Sequence, residues 1–417
     1  MAKFKRYDSY KNSGVDWLGE IPSHWEMKKH KYCFVLNKEI VGNNSSNLQL
    51  LSLTKNGIKA IDKFDQSGKV PISFDTYQFI SKDDIVMCLF DLDVSAVFSG
   101  ISPYEGMISS AYKSFKCNSN LLPKYCDYFF RNVFVSRKYK IYSKNVRFTM
   151  NVDDFMSLYI PLPPKDEQEK IASYLDEKIA KIDASISGKE KFIELLKEQK
   201  QIIINDAVTK GLNKNAKFKN SGIEWLGEIP SHWKVIKFKH LFYEKRKIYD
   251  INLNCGSISF GKIVEKDDDR IPLSTKASYQ VLNKGEFLIN PLNLNYDLKS
   301  LRIGLSELDV VVSSGYIVIK NKVDINKKYF NWLLHIYDIL FMKTLGAGVR
   351  QTLNFNDIGK TLLVLPPKDE QEKIVEYIEN KISKIDKLLN LEQECIKSLK
   401  EYKASLIDSV VTGKVKV

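Results

Sequence analysis

The chain has few cysteines, and their spacing excludes the usual cysteine-based sites. Six cysteines are spread over 417 residues, with no CxxC pair and no His and Cys cluster at zinc-ligand spacing. No stretch approaches the roughly 18 consecutive apolar residues of a membrane-spanning helix. The N-terminal MAKFKRYDSYKNSG has no apolar run of a secretory signal. We therefore expect free buried thiols in a soluble, cytoplasmic protein.

Motifs for catalysis are also missing. GSISFGKI at 256–263 approaches the P-loop pattern, but Ile263 replaces the required Ser or Thr, and Pro272 follows where a helix should continue. There is no glycine-rich cofactor loop after a strand, no Asn-Pro-Pro-aromatic tetrapeptide and no convincing Asp…Glu-x-Lys nuclease cluster. A chain that carried out such chemistry by itself would need a cofactor site of its own. We therefore predict a non-catalytic protein that binds no metal or cofactor itself.

What the chain has in excess is positive charge. Lys plus Arg number 64 and Asp plus Glu 51, which gives a net charge of +13. Such a surplus favours a polyanionic partner, because each neutralised phosphate releases counterions. Charge alone leaves open a basic surface that binds nothing. The hydrophobic share of 44% and charged share of 28% are typical of globular domains, and the length allows two or three of them.

The chain is an internal repeat. SGVDWLGEIPSHW at 13–25 returns as SGIEWLGEIPSHW at 221–233, and PPKDEQEKI at 163–171 returns unchanged at 366–374. Between these anchors the copies diverge, with faint echoes such as SSAY at 109–112 against SSGY at 313–316. NVRFTMNVDD at 145–154 likewise matches GVRQTLNFND at 348–357. Near-identical frames around divergent inserts indicate one scaffold that carries two different binding surfaces.

Each insert has the pattern of a compact α/β domain. Short β-rich runs such as DIVMCLF and GYIVIK alternate with helical patterns such as LPKYCDYFFRNVF. His24 and His232 lie in the repeated frames, where catalysis would need two copies of one site, so a structural role is favoured. The tryptophans of the frames are interpreted as core anchors rather than base-stacking platforms. They are Trp17, Trp25, Trp225 and Trp233.

A long helix is predicted after each PP pair. Carboxylates follow in the first turn, where they meet the positive end of the helix dipole. An apolar stripe at three- and four-residue spacing then persists for over five heptads, which indicates a coiled coil. Separate packing of each helix on its own domain is the alternative. In an antiparallel pair about a two-fold axis, Lys189 and Glu392 would meet near the centre and fix the register.

The predicted fold is therefore α/β (α+β), with two globular domains joined by two long antiparallel coiled-coil helices in a pseudo-two-fold, circularly repeated arrangement. IINDAVTKGLNK at 203–214 resembles LIDSVVTGKVKV at 406–417, so the chain ends are expected to lie close together. The predicted segments are a first recognition domain at 1–163, a first long helix at 164–212, a second recognition domain at 213–366 and a second long helix at 367–417.

On these motifs the chain resembles the specificity subunit of type I restriction–modification systems. The resemblance covers essentially the whole chain, and its most specific parts are LPPKDEQEKI at 162–171 and 365–374 with the two WLGEIPSHW boxes. It implies that each variable domain is a target recognition domain for one half of a bipartite site in double-stranded DNA. It also implies that the helices are a spacer and a docking platform for two methyltransferase subunits, which a restriction and translocase subunit joins. S-adenosylmethionine, ATP and magnesium would then belong to the partners.

Base contacts need Arg, Lys, Asn or Gln on loops that reach a groove. Polar clusters at equivalent places in the two inserts supply candidates, each of which has a plain solvent-exposed role as its alternative. The candidates are Lys55, Asn56, Lys144, Asn145, Arg147, Lys262, Asn293, Asn295, Tyr296, Lys299, Arg302, Arg350 and Gln351. As a set, we expect phosphate contacts to outnumber base contacts.

A stand-alone DNA-binding clamp or regulator without methyltransferase partners is the other function that the sequence supports. Such a clamp has no need of charged helix faces left open for a partner. Copurification with a methyltransferase separates the two hypotheses.

The proposed register can be tested by charge reversal. Lys189→Glu is expected to destabilise the chain, because it places like charges near the centre of the pair, and adding Glu392→Lys is expected to restore stability. Thermal melts of the two single variants and the double variant measure this. Absence of rescue in the double variant would contradict the register.

Overall fold

The computed structural model describes residues 5–54, 57–63, 71, 73–92, 99–144, 148–292, 301–342 and 352–417. The chain forms two compact units. Unit 1 contains residues 1–190 and 393–417, and unit 2 contains residues 191–392. Each unit therefore combines one variable insert with the beginning of one long helix and the end of the other.

Unit 1 is built from short strands and three helices. Two four-stranded sheets have the strand orders β6-β5-β10-β7 and β4-β11-β8-β9, and β1-β2 and β12-β3 form two-stranded pairs. The strands are β1 (Tyr10–Asn12), β2 (Glu20–Pro22), β3 (Glu26–Lys29), β4 (Phe34–Leu36), β5 (Leu50–Thr54), β6 (Gly57–Ile61), β7 (Gln78–Ile80), β8 (Ile85–Met87), β9 (Ser99–Ile101), β10 (Gly106–Ile108), β11 (Lys113–Cys117) and β12 (Tyr159–Leu162). The helices that begin here are α1 (Pro123–Val135), α2 (Val152–Ser157) and α3 (Lys165–Lys210).

Unit 2 has similar strands and, in its described residues, two further short helices. Its strands are β13 (Phe218–Asn220), β14 (Glu228–Pro230), β15 (Lys234–Lys237), β16 (Phe242–Glu244), β17 (Gly256–Ser259), β18 (Lys262–Glu265), β19 (Gln280–Leu282), β20 (Phe287–Ile289), β21 (Ile303–Leu305), β22 (Val310–Val312), β23 (Ile317–Asn321) and β24 (Leu362–Leu365). Its helices are α4 (Phe238–Leu241), α5 (Leu273–Lys276), α6 (Lys327–Leu340), α7 (Phe355–Gly359) and α8 (Lys368–Val411).

The divergent inserts share one topology. The sheet β4-β11-β8-β9 of unit 1 corresponds to β16-β23-β20-β21 of unit 2, and the pairs β1-β2 and β12-β3 correspond to β13-β14 and β15-β24. The other sheet of unit 1, β6-β5-β10-β7, is matched in unit 2 by two separate pairs, β17-β18 and β19-β22. Even the parallel contact of Leu50 with Met107 recurs, as an isolated parallel bridge between Cys255 and Val311. The described strands of the two inserts therefore share one order, although the residues of the inserts diverge.

The faint sequence echoes have local physical causes. The Asn151 side chain accepts a hydrogen bond from the Asp154 amide at 2.7 Å and caps α2. Asn354 accepts from the Asp357 amide at 3.0 Å and caps α7 in a reciprocal capping box. These Asn-x-x-Asp positions match because both short helices need the same cap.

The rejection of a P-loop at 256–263 is confirmed. The segment is the hairpin β17–β18, whose turn has positive φ at Phe260 and Gly261, +47° and +75°. Two successive left-handed residues are typical of a tight hairpin turn. A P-loop would instead lead into a helix.

The predicted α/β architecture with long antiparallel helices is confirmed within each unit. In unit 1, Asp183 of α3 pairs with Lys403 of α8, and Glu190 pairs with Lys400, so one helix descends as the other rises. The chain ends also meet as predicted, since the Lys416 amide donates to the Lys5 carbonyl at 2.9 Å. Of the helices in the described ranges, none is both long and apolar enough to cross a membrane.

His30 should make the stability of unit 1 depend on pH. Its ring is fully buried, 3.2 Å from the Tyr139 hydroxyl and 4.4 Å between ring centroids from Phe155. Burial lowers the pKa of His30 to about 3. Because the unfolded chain binds a proton below about pH 6.5 that the folded chain excludes, stability falls as the pH drops from there towards 3.

At pH 5 this loss amounts to about 2 kcal/mol relative to pH 7. His30→Phe copies the fully buried Phe238 at the matching position of unit 2, and it should remove this part of the pH dependence. Hydrogen exchange of unit 1 peptides at pH 7 and pH 5, corrected for intrinsic exchange rates, measures the difference. Equal acid sensitivity in the variant and the parent chain would refute the assignment.

Candidate nucleic-acid interface

Described residues next to several of the predicted DNA contacts lie side by side. In unit 1 the Leu92 amide donates to the Phe148 carbonyl at 3.3 Å. In unit 2 Leu292 and Thr352 form an antiparallel bridge. Leu92 directly precedes 93–98, and Phe148 directly follows 145–147. Leu292 directly precedes 293–300, and Thr352 directly follows 343–351. In unit 2, the described residues that adjoin the candidates Asn293 and Gln351 thus lie next to each other.

In both units a hairpin lies against a neighbouring strand: β5–β6 against β9 in unit 1, and β17–β18 against β21 in unit 2. The Gly261 amide donates to the Leu301 carbonyl at 3.1 Å, and a Cβ added to Gly304 would lie 2.5 Å from the Gly261 carbonyl oxygen. In unit 1 a Cβ added to Gly100 would lie 3.6 Å from the Gly57 Cα. Glycine therefore allows each hairpin to approach a neighbouring strand, β9 in unit 1 and β21 in unit 2.

Two described candidates have side chains at the surface. Lys144 is 66% exposed in its side chain, and its Nζ lies 3.0 Å from Asp154 Oδ2. Lys262 is exposed at the start of β18, directly after the hairpin turn. Either amine can reach a phosphate, Lys144 by exchanging its surface ion pair, which is worth little in water.

Arg302 was predicted to lie on a loop that reaches DNA, but its side chain is buried. It is only 6% exposed, and its Nε donates to Asp338 Oδ1 at 2.9 Å while its backbone amide donates to Oδ2 at 2.6 Å. The pair ties β21 to α6 inside unit 2. A DNA contact by Arg302 stays a prediction, and its burial favours a role in supporting the neighbouring segment.

The other candidates lie outside the described residues, and their DNA contacts stay predictions. They are Lys55, Asn56, Asn145, Arg147, Asn293, Asn295, Tyr296, Lys299, Arg350 and Gln351.

Arg131 joins the candidate interface although sequence reasoning missed it. Its side chain is 44% exposed, and a Cβ on Gly57, at the unit 1 hairpin, would lie 3.9 Å from its guanidinium. Its Nε pairs with Asp127 at 2.8 Å; burial raises the pKa of that carboxyl, and Arg131 opposes the rise. An arginine in the middle of the largely apolar helix pattern LPKYCDYFFRNVF was the signal that could have revealed it.

The repeated frames form a clamp at the start of α3. Glu167 accepts a hydrogen bond from Trp25 Nε1 at 2.8 Å through one carboxylate oxygen and lies 2.6 Å from His24 Nε2 through the other. The Tyr7 hydroxyl adds a third bond at 3.2 Å. The carboxylate also sits in the first helical turn, where the helix dipole favours negative charge.

Unit 2 repeats this clamp at the start of α8. Glu370 accepts from Trp233 Nε1 at 2.9 Å and lies 2.5 Å from His232 Nε2. Trp25 and Trp233 are both fully buried, so their predicted role as core anchors is confirmed. The histidines are bonded into the scaffold, which agrees with their predicted structural role.

The glutamine after each clamp glutamate binds the backbone just before the helix of the insert. Gln168 accepts from the Leu122 amide at 2.7 Å, just before α1, and Gln371 accepts from the Asn326 amide at 2.8 Å, just before α6. Both glutamine side chains are buried. The repeated Glu-Gln pair thus holds the His-Trp end of the WLGEIPSHW box and the insert helix to the same turn of the long helix.

Two lysines, Lys200 of α3 and Lys403 of α8, each pair with an aspartate of the other long helix. Lys403 donates to Asp183 at 2.7 Å in unit 1, and Lys200 donates to Asp386 at 2.6 Å in unit 2. These pairs occupy matching positions of the repeat, and they link the end of one long helix to the beginning of the other within each unit. The register role of Lys189 and Glu392 stays a prediction.

The comparisons with known proteins converge on one family. Residues 18–195 and 230–400 match the family model described as type I restriction modification DNA specificity domain. A Methanocaldococcus jannaschii protein, provisionally named the specificity subunit of the type I restriction enzyme MjaX, is 23% identical over 446 residues, which cover 100% of this chain and 99% of that protein.

Solved structures share the fold. A chain from a structural study of complex assembly in a type I R-M system superposes with a TM-score of 0.70 at 14% identity, covering 94% of this chain and 98% of that one. The HsdS subunit from Thermoanaerobacter tengcongensis superposes with a TM-score of 0.55 at 15% identity, covering 95% and 98%.

The clamp predicts a local loss of stability on removal of its carboxylate. Glu167→Ala leaves the buried Trp25 indole N–H without its acceptor, at a cost of about 2–3 kcal/mol. Hydrogen exchange should report faster exchange around residues 20–29 and 159–170. Glu169→Ala, which changes an exposed glutamate on the same helix, is the matched control and should leave exchange unchanged. Equal effects of the two variants would contradict the clamp.

Proposed function

We propose, because the chain belongs to the type I restriction–modification DNA specificity family, that its two units each read one half of a bipartite DNA target. Members of this family recognise DNA and are not themselves the catalytic subunits. The observation that carries the proposal is one topology carrying two different sets of surface residues. Two unlike readers can recognise an asymmetric, split sequence that a symmetric pair could not.

The proposed reading surface of each unit is the edge that carries the hairpin and the described residues next to the candidate positions. In unit 2 Lys262 marks this edge, and in unit 1 Lys144 and Arg131 lie beside the corresponding segments. Lys and Arg supply the phosphate contacts that position a protein, and Arg, Asn and Gln on the segments supply base contacts. The net charge of +13 contributes the sequence-independent part of the affinity.

The long helices are proposed as spacer and platform. They have 46 and 44 residues, and a helix of that length rises about 65–70 Å at roughly 1.5 Å per residue. That length caps the separation they can impose between the half-sites. The charged helix faces are proposed to dock two methyltransferase subunits, which restriction and translocase subunits then join.

The proposal places the chemistry in the partner subunits. S-adenosylmethionine, ATP and magnesium are assigned to them, and none to this chain. Within the described residues no group of three or more His, Cys, Asp or Glu has a metal-binding arrangement. The complex is proposed to act in the cytoplasm.

Genome-wide mapping of methylated bases tests the function. Co-expression with the neighbouring methyltransferase should yield one split motif that disappears when this chain is deleted. Replacing residues 13–163 with those of a related chain should change one half of the motif and leave the other, since each unit reads separately. An active methyltransferase whose motif does not depend on this chain would favour the stand-alone DNA-binding clamp.

A further inference from the structure

An apolar cluster lies exposed on the long helices of unit 2. Its five side chains are between 42% and 60% exposed. They are Phe192, Leu195 and Ile202 of α3, and Leu388 and Leu391 of α8. Exposed apolar residues scattered singly are normal, but a contiguous group marks a contact surface.

The five residues share one side of the helix pair. On α3 they follow i, i+3 and i+10, and on α8 they follow i and i+3, which keeps each set on one stripe. Leu195 directly precedes the buried Leu196, and Leu388 and Leu391 directly precede the seam residues Leu389 and Glu392. In antiparallel helices, residues displaced in the same sense from each seam lie on the same side of the pair.

The matching positions of unit 1 have a different chemistry. The unchanged PPKDEQEKI segments fix the correspondence at an offset of 203 residues. At that offset the five apolar residues correspond to Cys395, Ser398, Ser405, Ser185 and Gly188. One aromatic residue goes the other way, because Tyr402 of unit 1 stands where unit 2 has Gln199.

The seam between the helices does not show this difference. The ion pairs Lys200–Asp386 and Lys403–Asp183 are equivalent, and so are the buried seam residues Ile193 and Ile396. The contrast is therefore confined to the surface that a partner would meet. Helix packing alone does not account for it.

We propose that the two platforms are unequal, with unit 2 as the higher-affinity docking face for the methyltransferase subunit and unit 1 as the weaker one. The inference rests on the proposed function, which places two copies of one partner on this helix pair. The first copy binds the apolar cluster, and the second binds the serine-rich counterpart. Assembly then proceeds through a one-to-one complex.

The size of the cluster favours this occupant over a second copy of the chain. Five half-exposed side chains present on the order of 500 Å², within the range of functional patches but below the roughly 800 Å² that each partner of a stable complex buries. Two clusters docked on each other would hold a homodimer weakly. A partner that also contacts the charged flanks of the helices adds the missing area.

Native mass spectrometry of the full chain titrated with its methyltransferase tests the inference. We expect the one-to-one complex to dominate at equimolar mixing, with the second step at least about tenfold weaker. Leu195→Ser with Ile202→Ser, which copies Ser398 and Ser405, should weaken the first step towards the second. The reciprocal variant, Ser398→Leu with Ser405→Ile, should strengthen the second step.

The possible results distinguish the inequality of the two platforms from the proposed function itself. Two equal steps in the parent chain would overturn the inequality alone. A tenfold difference that both variants leave unchanged would overturn its assignment to the apolar cluster. Absence of any methyltransferase binding would overturn the proposed function and this inference with it. Sedimentation of the chain alone should give a monomer. A dimer that the Leu195→Ser, Ile202→Ser variant abolishes would identify a second copy as the occupant and refute the proposal.

Discussion

A single carboxylate at the first turn of each long helix holds the rest of its unit in place. Glu167 and Glu370 each accept the indole N–H of a buried tryptophan and contact the preceding histidine. The adjacent glutamine binds the backbone just before the insert helix. The His-Trp segment and the start of the insert helix thus bind one turn of the long helix. The surface of the insert can therefore vary while its orientation on the helix stays fixed. This constraint explains why the frames are nearly identical and the inserts are not.

Much of this organisation was predictable from the repeated segments, because the same residues form the same local structure in both copies. The helix starts follow from prolines and first-turn carboxylates, and the meeting of Lys5 with Lys416 follows from the circular repeat. The shared strand order of the inserts was not predictable, since topology depends on which positions are buried rather than on residue identity. Arg302 illustrates the limit: its partner Asp338 is 36 residues away, and local polarity gave no sign of the pair.

The candidate interface shows the same division. Sequence reasoning named polar candidates, but it gave no sign that Leu92 contacts Phe148 or that Leu292 contacts Thr352, residues of which three directly adjoin candidate positions. Arg131 was overlooked because an apolar helix pattern dominates its neighbourhood. The fold exposes it beside the hairpin. Long-range pairing decides which polar residues reach the surface, and periodicity does not encode it.

The composition of unit 1 from both parts of the chain has a consequence during synthesis. Unit 2 is contiguous, from 191 to 392, whereas unit 1 needs residues 393–417 to complete it. The buried Tyr125 hydroxyl, for example, has the Val411 carbonyl among its acceptors. At about 5–20 residues per second, a ribosome takes on the order of 10–40 s to deliver those residues after residue 190. During that interval the first-made recognition unit waits with an incomplete core, and the second-made unit closes first.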